Sequence, residues 1–267
     1  MCTSNISPIT LPMPTPPQHS VDISEQAGVR SLHFGSDWVQ GAMRIARPWS
    51  LELAYTREMM AALLFGRAAP WPRRALLIGM GAGSLAKFIY RNLPECRIDA
   101  VEIHPGVVAA AHQYFKLPDD PERLNIIIGD GADFVASDRE HYDLVLVDGF
   151  GPDARPGRLD RPDFYAACRQ RLSDAGVLSC NLLGRSRGFK ASAERIRSAF
   201  DGRSVVFPSC DSGNAICFAN AGEGIDIGLD EMRESARQIK QAMGLDLLPT
   251  ITRLQLACTL PGNRFRL

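Results

Sequence analysis

Residues 73–105, RRALLIGMGAGSLAKFIYRNLPECRIDAVEIHP, decide the fold. An apolar run at residues 75–78 leads into a loop with glycine at every second position: Gly79, Gly81 and Gly83. Residues 84–92 are compatible with a helix, and a second apolar run at residues 98–101 ends at Glu102. A strand, a glycine turn, a helix and a strand that delivers an acid form the βαβ unit that binds nucleotides or nucleosides.

The glycine loop indicates which class of ligand this unit binds. It reads G-M-G-A-G-S, whereas a dinucleotide fingerprint requires a third glycine where Ser84 stands. The form G-x-G-x-G is common in folds that bind adenosyl-methionine, in which no pyrophosphate has to be held. Glycines let the backbone approach a ligand, and Glu102 can accept hydrogen bonds from ribose hydroxyls. A turn without ligand, an NAD site and a merely exposed acid at a strand end remain the alternatives.

The rest of the chain predicts an α/β fold with a doubly wound, mostly parallel sheet, because apolar strands alternate with helices. In such sheets the ligand lies beyond the carboxyl ends of the strands. Two further acids follow apolar runs: Asp130, with Gly131, follows residues 124–128, and Asp148 follows residues 144–147. Either acid could simply cap a helix or turn. Asp148, delivered by a wholly apolar strand, is also suitably placed for acid–base chemistry.

Four segments are predicted along the chain. Residues 1–20 contain five prolines and are expected to form a flexible arm, because proline opposes helices and central strands. Residues 21–70 are expected to form a small N-terminal β-hairpin and a helix capped by Ser50. Residues 71–225 are the predicted nucleoside-binding domain, and residues 226–267 a C-terminal helix and tail.

Composition narrows the classes of function. Thirty basic and thirty acidic residues give no net charge, so the overall charge favours neither nucleic acid nor an anionic membrane as a partner. No apolar run reaches the roughly 18 residues needed to span a membrane, and the N-terminus lacks the pattern of a secretory signal. The seven cysteines form no C-x-x-C pair and the histidines lack metal-ligand spacing, so neither a metal site nor a disulfide framework is indicated. We expect a cytoplasmic protein with reduced cysteines.

Several segments, in this order, resemble the spermidine synthase (polyamine aminopropyltransferase) family. They are Gln40 in the front hairpin, YTREM at 55–59, the glycine loop, VEIHPGVVAAAHQYF at 101–115, IIIGDGADFV at 126–135, YDLVLVD at 142–148 and FYAACRQRLSDAGVL at 164–178. The similarity runs over residues 25–219. It implies a class I methyltransferase-type Rossmann fold with a small N-terminal β segment, and a homodimer. It also implies decarboxylated S-adenosylmethionine as donor and methylthioadenosine as product.

The resemblance also implies roles for individual residues. Gln40 and Glu102 would hold the nucleoside and its ribose beside the glycine loop, and Asp130 with Gly131 would flank the adenine. Asp148 would be the general base that takes a proton from the acceptor amine. The residues assigned tentatively to the acceptor are Tyr55, Arg57 and Asp153.

Three positions depart from the family pattern. Ala82 stands where the family's G-G-G-D-G loop has an aspartate, and Gly151 stands where its D-x-x-D-P segment has a second one. Arg57 precedes the glutamate of the YTREM segment, where the family usually has His or Gln. Each missing acid removes a partner for a polyamine ammonium, and an arginine facing the pocket would repel one. Asp153 could substitute only if the loop register changed.

The sequence therefore predicts an aminopropyltransferase that uses an adenosyl-sulfonium donor and an atypical amine acceptor, whose identity the sequence does not give and which need not be putrescine. Methyl transfer from S-adenosylmethionine, and non-catalytic binding of a nucleoside or polyamine, remain the alternatives. Ala82 and Gly151 favour these alternatives, whereas Asp148 and Gln40 favour aminopropyl transfer. No metal is expected.

Overall fold

The computed structural model describes residues 20–36, 38–66, 70–151, 153, 155–207 and 213–267. The flexible arm predicted at residues 1–20 lies outside the described residues except for Ser20. Asp37, in the predicted hairpin turn, and two of the seven cysteines, Cys2 and Cys210, also lie outside them.

The strands are, in chain order, β1 (Asp22–Gln26), β2 (Val29–His33), β3 (Val39–Arg44), β4 (Arg74–Ile78), β5 (Arg97–Glu102), β6 (Leu124–Ile128), β7 (Tyr142–Val147), β8 (Leu172–Leu183), β9 (Ser204–Val206), β10 (Asn214–Asn220), β11 (Asp226–Gly228) and β12 (Arg264–Arg266). The α-helices are α1 (Ala54–Met59), α2 (Ser84–Asn92), α3 (Pro105–Phe115), α4 (Gly131–Ser137), α5 (Pro162–Arg171), α6 (Phe189–Ala199), α7 (Leu229–Met243) and α8 (Leu248–Ala257). Short 3-10 helices cover Met60–Phe65, Gly157–Asp160 and Pro261–Asn263.

The central sheet has seven strands in the order β6-β5-β4-β7-β8-β10-β9. The strands from β6 to β8 in this order pair in parallel, and β10 is antiparallel to both of its neighbours. The glycine loop follows β4 at the centre of the sheet, where the chain order of the strands reverses. This position is where open α/β sheets bind their ligands.

Both faces of the central sheet are covered, as its apolar strands predict. Leu77 of β4 packs in one buried cluster with Phe88 and Ile89 of α2. Leu76, its neighbour on the strand, packs in a second cluster with Phe164 of α5. Since successive side chains of a strand point to opposite faces, the two clusters are the two apolar layers of a doubly wound fold. The predicted fold class is confirmed.

A separate antiparallel sheet of three strands, β1-β2-β3, forms the front of the chain. The predicted hairpin is present as β2 and β3, and β1 adds a third strand to it. Leu32 and Met43 of this sheet pack with Ala82 of the glycine loop and with Val107 and Phe115 of α3. The N-terminal sheet therefore lies directly against the glycine loop and α3.

Two local predictions are wrong. Ser50 does not cap the helix after it, because the chain stays extended through Leu53, whose φ is −80° and ψ 140°, and α1 begins at Ala54. Burial of Leu51 holds this extended segment in the core. Ala175-Gly176 also has the composition of a turn and predicts that the next strand begins at Val177, which is not observed. β8 already begins at Leu172, and these residues form an irregularity inside the strand.

The C-terminal segment packs on the core rather than forming a loose tail. Met232 and Ala236 of α7 and Ile251 and Leu254 of α8 belong to the same buried cluster as Phe65. The last strand, β12, pairs antiparallel with β11. The charged amphipathic pattern of residues 229–243 predicts a helix with the observed bounds of α7, whereas the sequence pattern does not predict α8 or β12.

Candidate active site

A cavity of about 280 Å³ opens at the carboxyl ends of the central strands. Seven of the predicted site residues line it: Gln40, Gly79, Gly81, Glu102, Asp130, Gly131 and Asp148. Gly83 is not in this lining. It occupies the N-cap position of α2 with a left-handed φ of 68°, and a side chain there would overlap Leu117. The strand-end rule applied to the sequence therefore picked out residues that line one cavity, and their function as a binding site stays a prediction.

The glycine loop lies unusually close to Asp148. Gly79 has a φ of +84°, and a Cβ on it would lie 2.4 Å from the Asp148 carbonyl oxygen. Its N–H donates to Val101 O at 2.9 Å, which fixes the loop to the end of β5. Only glycine fits this left-handed, crowded position without strain. Gly79 thus lets the glycine loop and Asp148 lie next to each other in the lining of the cavity.

The N-terminal sheet places Gln40 over the same loop. A Cβ on Gly81 would lie 3.0 Å from Gln40 O, and one on Gly41 would lie 2.7 Å from the Ala82 Cβ. Ala82 is buried beneath β3. Small residues at positions 41, 81 and 82 therefore let β3 lie directly on the loop, and Gln40 reaches the cavity for this reason.

Glu102 is buried at the end of β5, with both carboxylate oxygens held by backbone amides. Met80 N donates to Oε2 at 2.9 Å, and His104 N donates to Oε1 at 3.0 Å. Burial raises the pKa of this carboxyl, whereas the N–H donors act in the opposite direction. Since each carboxylate oxygen has two lone pairs, acceptor capacity remains for ligand hydroxyls in the cavity.

Asp130 is the N-cap of α4, so the capping interpretation of this residue is confirmed. Its Oδ1 accepts from Ala132 N at 2.7 Å, and its Oδ2 accepts from Arg158 Nη1 at 2.8 Å. Arg158 also pairs with Asp133 and lowers the pKa of that carboxyl. The neighbouring Gly131 has no room for a side chain, because a Cβ would lie 2.3 Å from Ile78 Cγ2. Their contact with adenine stays a prediction.

Asp148 follows β7 and faces the cavity. Tyr55 donates its hydroxyl to Oδ2 at 3.1 Å, and Asn181 donates Nδ2 to Oδ1 at 2.8 Å. Burial raises the pKa of Asp148 to about 7. The two hydrogen bonds stabilise the carboxylate and therefore oppose this shift. Burial and the Asp148 charge also raise the pKa of Tyr55 well above its ordinary value, so its phenol remains a donor. A carboxyl poised near neutral pH is suited to general base catalysis.

Asn181 and Asn214 are site residues that the sequence reasoning missed. Asn214 donates Nδ2 to Asn181 Oδ1 at 2.9 Å, so Asn181 is held on one side and holds Asp148 on the other. Asn181 is only 5% exposed. The available signal was an amide inside the apolar run at residues 177–183, since a buried polar side chain needs partners.

None of the three tentative acceptor residues, Tyr55, Arg57 and Asp153, is in the lining of this cavity. Arg57 donates from Nη1 to the carbonyl oxygens of Leu51 and Glu52, at 2.9 and 2.7 Å. Asp153 is exposed and accepts a hydrogen bond from Arg155 N at 3.1 Å. Their contact with an acceptor stays a prediction, whereas Tyr55 is brought to Asp148.

Within the described ranges, no group of three or more His, Cys, Asp or Glu side chains is arranged to hold a metal ion. The same ranges contain no helix that is both long and apolar enough to cross a membrane.

Comparison with known proteins decides the family. The spermine/spermidine synthase domain model matches residues 52–184. A polyamine aminopropyltransferase of Neisseria meningitidis serogroup A is 35% identical over 247 residues, which are 92% of this chain and 93% of the relative. The chain belongs to the polyamine aminopropyltransferase family.

Solved structures show that the family fold extends over most of the chain. A spermidine synthase in complex with the transition-state analogue AdoDATO is 21% identical, with a TM-score of 0.65, and covers 90% of this chain and 85% of its own. Human methyltransferase-like protein 13 in complex with SAH is 24% identical, with the same TM-score of 0.65, and covers 72% of this chain and 93% of its own. At these identities the likeness is one of fold, and it confirms the predicted methyltransferase-type Rossmann architecture.

The departures from the aminopropyltransferase family pattern lie on two sides of the site. Ala82 faces β3 and not the cavity. Gly151 lines the cavity, and its N–H donates to Arg155 O at 2.8 Å within a tight loop. Glu58 is buried away from the cavity, where it contacts Thr250 and Arg253 of α8. In this member the two acids of the family pattern are missing, and of these two positions residue 151 lines the cavity whereas residue 82 does not.

Proposed function

We propose that the protein transfers the aminopropyl group of decarboxylated S-adenosylmethionine to an amine. The observation that carries this proposal is Asp148, a carboxyl with a pKa of about 7 that faces the cavity beside the glycine loop. An acceptor amine has an ordinary pKa near 10, so it needs a group that removes its proton at neutral pH. A base with a pKa near the working pH is the most effective one.

The residues around the cavity fit an adenosyl donor. Glu102 presents a fixed carboxylate where ribose hydroxyls can donate to it, and Gln40 lies over the glycine loop. The absence of side chains at Gly79 and Gly81 leaves the loop backbone open to a nucleoside. When bound, the donor supplies a sulfonium that makes its propyl carbon electrophilic.

The chain's own groups would carry the proton. Asp148, as the carboxylate, accepts the proton of the acceptor amine, and Tyr55 and Asn181 hold it in place. The freed nitrogen lone pair forms a bond to the propyl carbon as the bond from that carbon to sulfur breaks. The electron pair stays on sulfur, methylthioadenosine leaves as a neutral molecule, and Asp148 later releases its proton to solvent.

Methyl transfer from S-adenosylmethionine is the second candidate. The position of Ala82 favours it, because this loop residue offers no carboxylate to an aminopropyl ammonium. The shared fold with an SAH-bound methyltransferase-like protein is compatible with either reaction. The two candidates differ in the donor that they require.

Calorimetric titration with decarboxylated S-adenosylmethionine, S-adenosylmethionine and methylthioadenosine tests the donor. We expect the decarboxylated donor and methylthioadenosine to bind most tightly. Preference for S-adenosylmethionine would support methyl transfer, and binding of none at sub-millimolar concentration would remove the donor assignment. Product formation should then be lost in Asp148→Asn, while donor binding persists. Binding without turnover in the unaltered protein would indicate a non-catalytic role.

The compartment and the assembly are further parts of the proposal. The described cysteines are free, which suits the reducing cytoplasm. On the N-terminal sheet, Trp38 is 60% exposed and Val39 46% exposed. An apolar patch of this kind suits association with a second copy of the chain. Sedimentation equilibrium should give a dimer, and Trp38→Ser should weaken it.

A further inference from the structure

A second cavity of about 250 Å³ lies beside the residues that flank Asp148, with Val147 and Gly149 in its lining. Gly149, Phe150, Arg155, Pro156 and Leu159 line both cavities, so the two cavities lie next to each other along this segment. Asn181 lines the second cavity and donates to the Asp148 carboxylate at 2.8 Å. A molecule in the second cavity therefore has one end close to the candidate base.

Among the residues that the structure describes, the second cavity offers no free anion. Asp160 is the one acid among the described residues that line it. Its Oδ1 accepts from Tyr165 at 3.1 Å, and its Oδ2 accepts from Ser192 at 2.8 Å and from Arg195 at 2.7 Å. Arg195 neutralises the carboxylate, and Arg155 in the same lining pairs with Asp153.

The first cavity has little anionic capacity to spare either. The Glu102 carboxylate is held by backbone amides, and the Asp130 carboxylate is paired with Arg158. Asp148 remains for one amine. A second ammonium on the acceptor would then lose its hydration without gaining an acidic partner, which is costly in a protein interior.

Apolar side chains form most of the second cavity instead. They are Val147, Phe150, Leu159, Leu182, Leu183 and Phe189. A cavity of roughly 150 Å³ with this kind of lining is large enough to hold benzene. The space beside Asn181 can thus take an aromatic ring or a short alkyl chain.

We propose that the second cavity binds the tail of the acceptor, and that the acceptor is a primary monoamine whose tail is uncharged and apolar. The assignment rests on the proposed aminopropyl transfer and names its acceptor class. The amine lies at Asp148 and Asn181, and the tail lies between Leu182 and Phe189. Aliphatic diamines fit this arrangement poorly, because their distal ammonium would lie among the apolar residues.

Binding tests this assignment without turnover. Phenethylamine, n-hexylamine, putrescine and 4-aminobutyrate are titrated into protein saturated with methylthioadenosine. We expect the two apolar monoamines to bind at least about tenfold more tightly than putrescine and 4-aminobutyrate, because each of the latter two would place one unpaired charge in the second cavity. Equal or tighter binding of putrescine or 4-aminobutyrate overturns the assignment.

Turnover with the same four amines separates this inference from the proposed reaction. Monoamine binding without product from the decarboxylated donor would remove the aminopropyl transfer and keep the tail site. Product formation with putrescine favoured would keep the reaction and remove the tail site.

A charge introduced into the second cavity provides a second test. Ser186 is exposed and lines this cavity, so Ser186→Asp adds a carboxylate without burying it. The ratio of putrescine to hexylamine affinity should rise by about tenfold. The control is Ser198→Asp, which adds the same charge to the exposed face of α6 outside both cavities and should leave the ratio unchanged. An unchanged ratio in Ser186→Asp would argue against the site.

Discussion

Asn181 and Asp148 lie side by side because they follow paired residues on neighbouring parallel strands. Val147 of β7 is in register with Cys180 of β8, and the next residue of each strand carries the interacting side chain. Asn181 Nδ2 donates to Asp148 Oδ1 at 2.8 Å. The sheet itself therefore sets the geometry of the candidate base, and a rigid element positions it better than a loop would.

Asn181→Ala should raise the pKa of Asp148, because the variant removes a donor that stabilises the carboxylate. A hydrogen bond to a charged group contributes about 1.5–3 kcal/mol, so an upward shift of about one unit is expected. The acidic limb of the pH profile of kcat/KM should move to higher pH, and the rate at pH 7 should fall by about fivefold, because the ionised fraction of Asp148 drops from about one half to about one tenth. Asn125→Ala is the matched control, since Asn125 donates to Asp99 at 2.8 Å on exposed surface. A profile that stays in place would show that Asn181 does not tune the base.

Asp148→Asn should abolish activity and yet stabilise the protein above pH 7. The pKa of Asp148 is about 7 in the folded state, against an ordinary value of 3.8. Between these values the folded state keeps a proton that the unfolded state has lost, so stability falls as pH rises through this window. The variant removes this penalty.

We expect the free energy of unfolding of Asp148→Asn to exceed that of the unaltered protein by on the order of 2 kcal/mol at pH 8. Below about pH 4 the two free energies should be equal. The rate should fall by about 10²–10⁴-fold. Urea titration at both pH values measures the stability, and Asp174→Asn, at an exposed position, is the control. A gain of equal size at both pH values would contradict burial of the charge as its cause.

Gly79→Ala should cost far more stability than Gly28→Ala. Both glycines have a left-handed backbone, with φ of +84° and +75°. A Cβ at residue 28 meets nothing within 4 Å, whereas one at residue 79 lies 2.4 Å from Asp148 O. Gly28→Ala should cost about 1–2 kcal/mol for backbone strain alone. Gly79→Ala adds a backbone clash to this strain, so its cost should exceed about 3 kcal/mol. Activity should also fall, because Asp148 has to move. Equal losses in urea titration would mean that the loop relaxes away from Asp148.

Much of the fold and half of the site follow from local sequence. Apolar runs that end in Glu102, Asp130 and Asp148 predict parallel strands with their acids at one edge, and the cavity contains all three. Asn181 was missed because its role depends on the register between β7 and β8, which local patterns do not specify. For the same reason the sequence did not show that Ala82 faces β3.

The errors in the predicted elements also have tertiary causes. Ser50 has the preferred chemistry of an N-cap, but burial of Leu51 keeps the chain extended past it. The tail beyond residue 243 has no strong helical period, and α8 forms there because it packs on the core around Phe65. Long-range burial decided both cases.

The contact between Glu58 and Thr250 predicts that the C-terminal helix supports the site. Glu58 is 5% exposed and lies on α1, the helix that also carries Tyr55. Thr250 of α8 donates to its Oε1 at 2.9 Å, and Arg253 pairs with the same oxygen. Thr250→Val should therefore leave a buried carboxylate short of a partner, at a cost of about 1–3 kcal/mol.

Thr252→Val is the matched control for this contact. Thr252 is exposed and donates to Leu248 O at 3.0 Å within its own helix. Its replacement should change the free energy of unfolding by less than about 0.5 kcal/mol. Because Tyr55 is carried by α1, Thr250→Val should also lower kcat, whereas Thr252→Val should not. If both variants lose the same stability and keep full activity, α8 does not position the Tyr55–Asp148 pair.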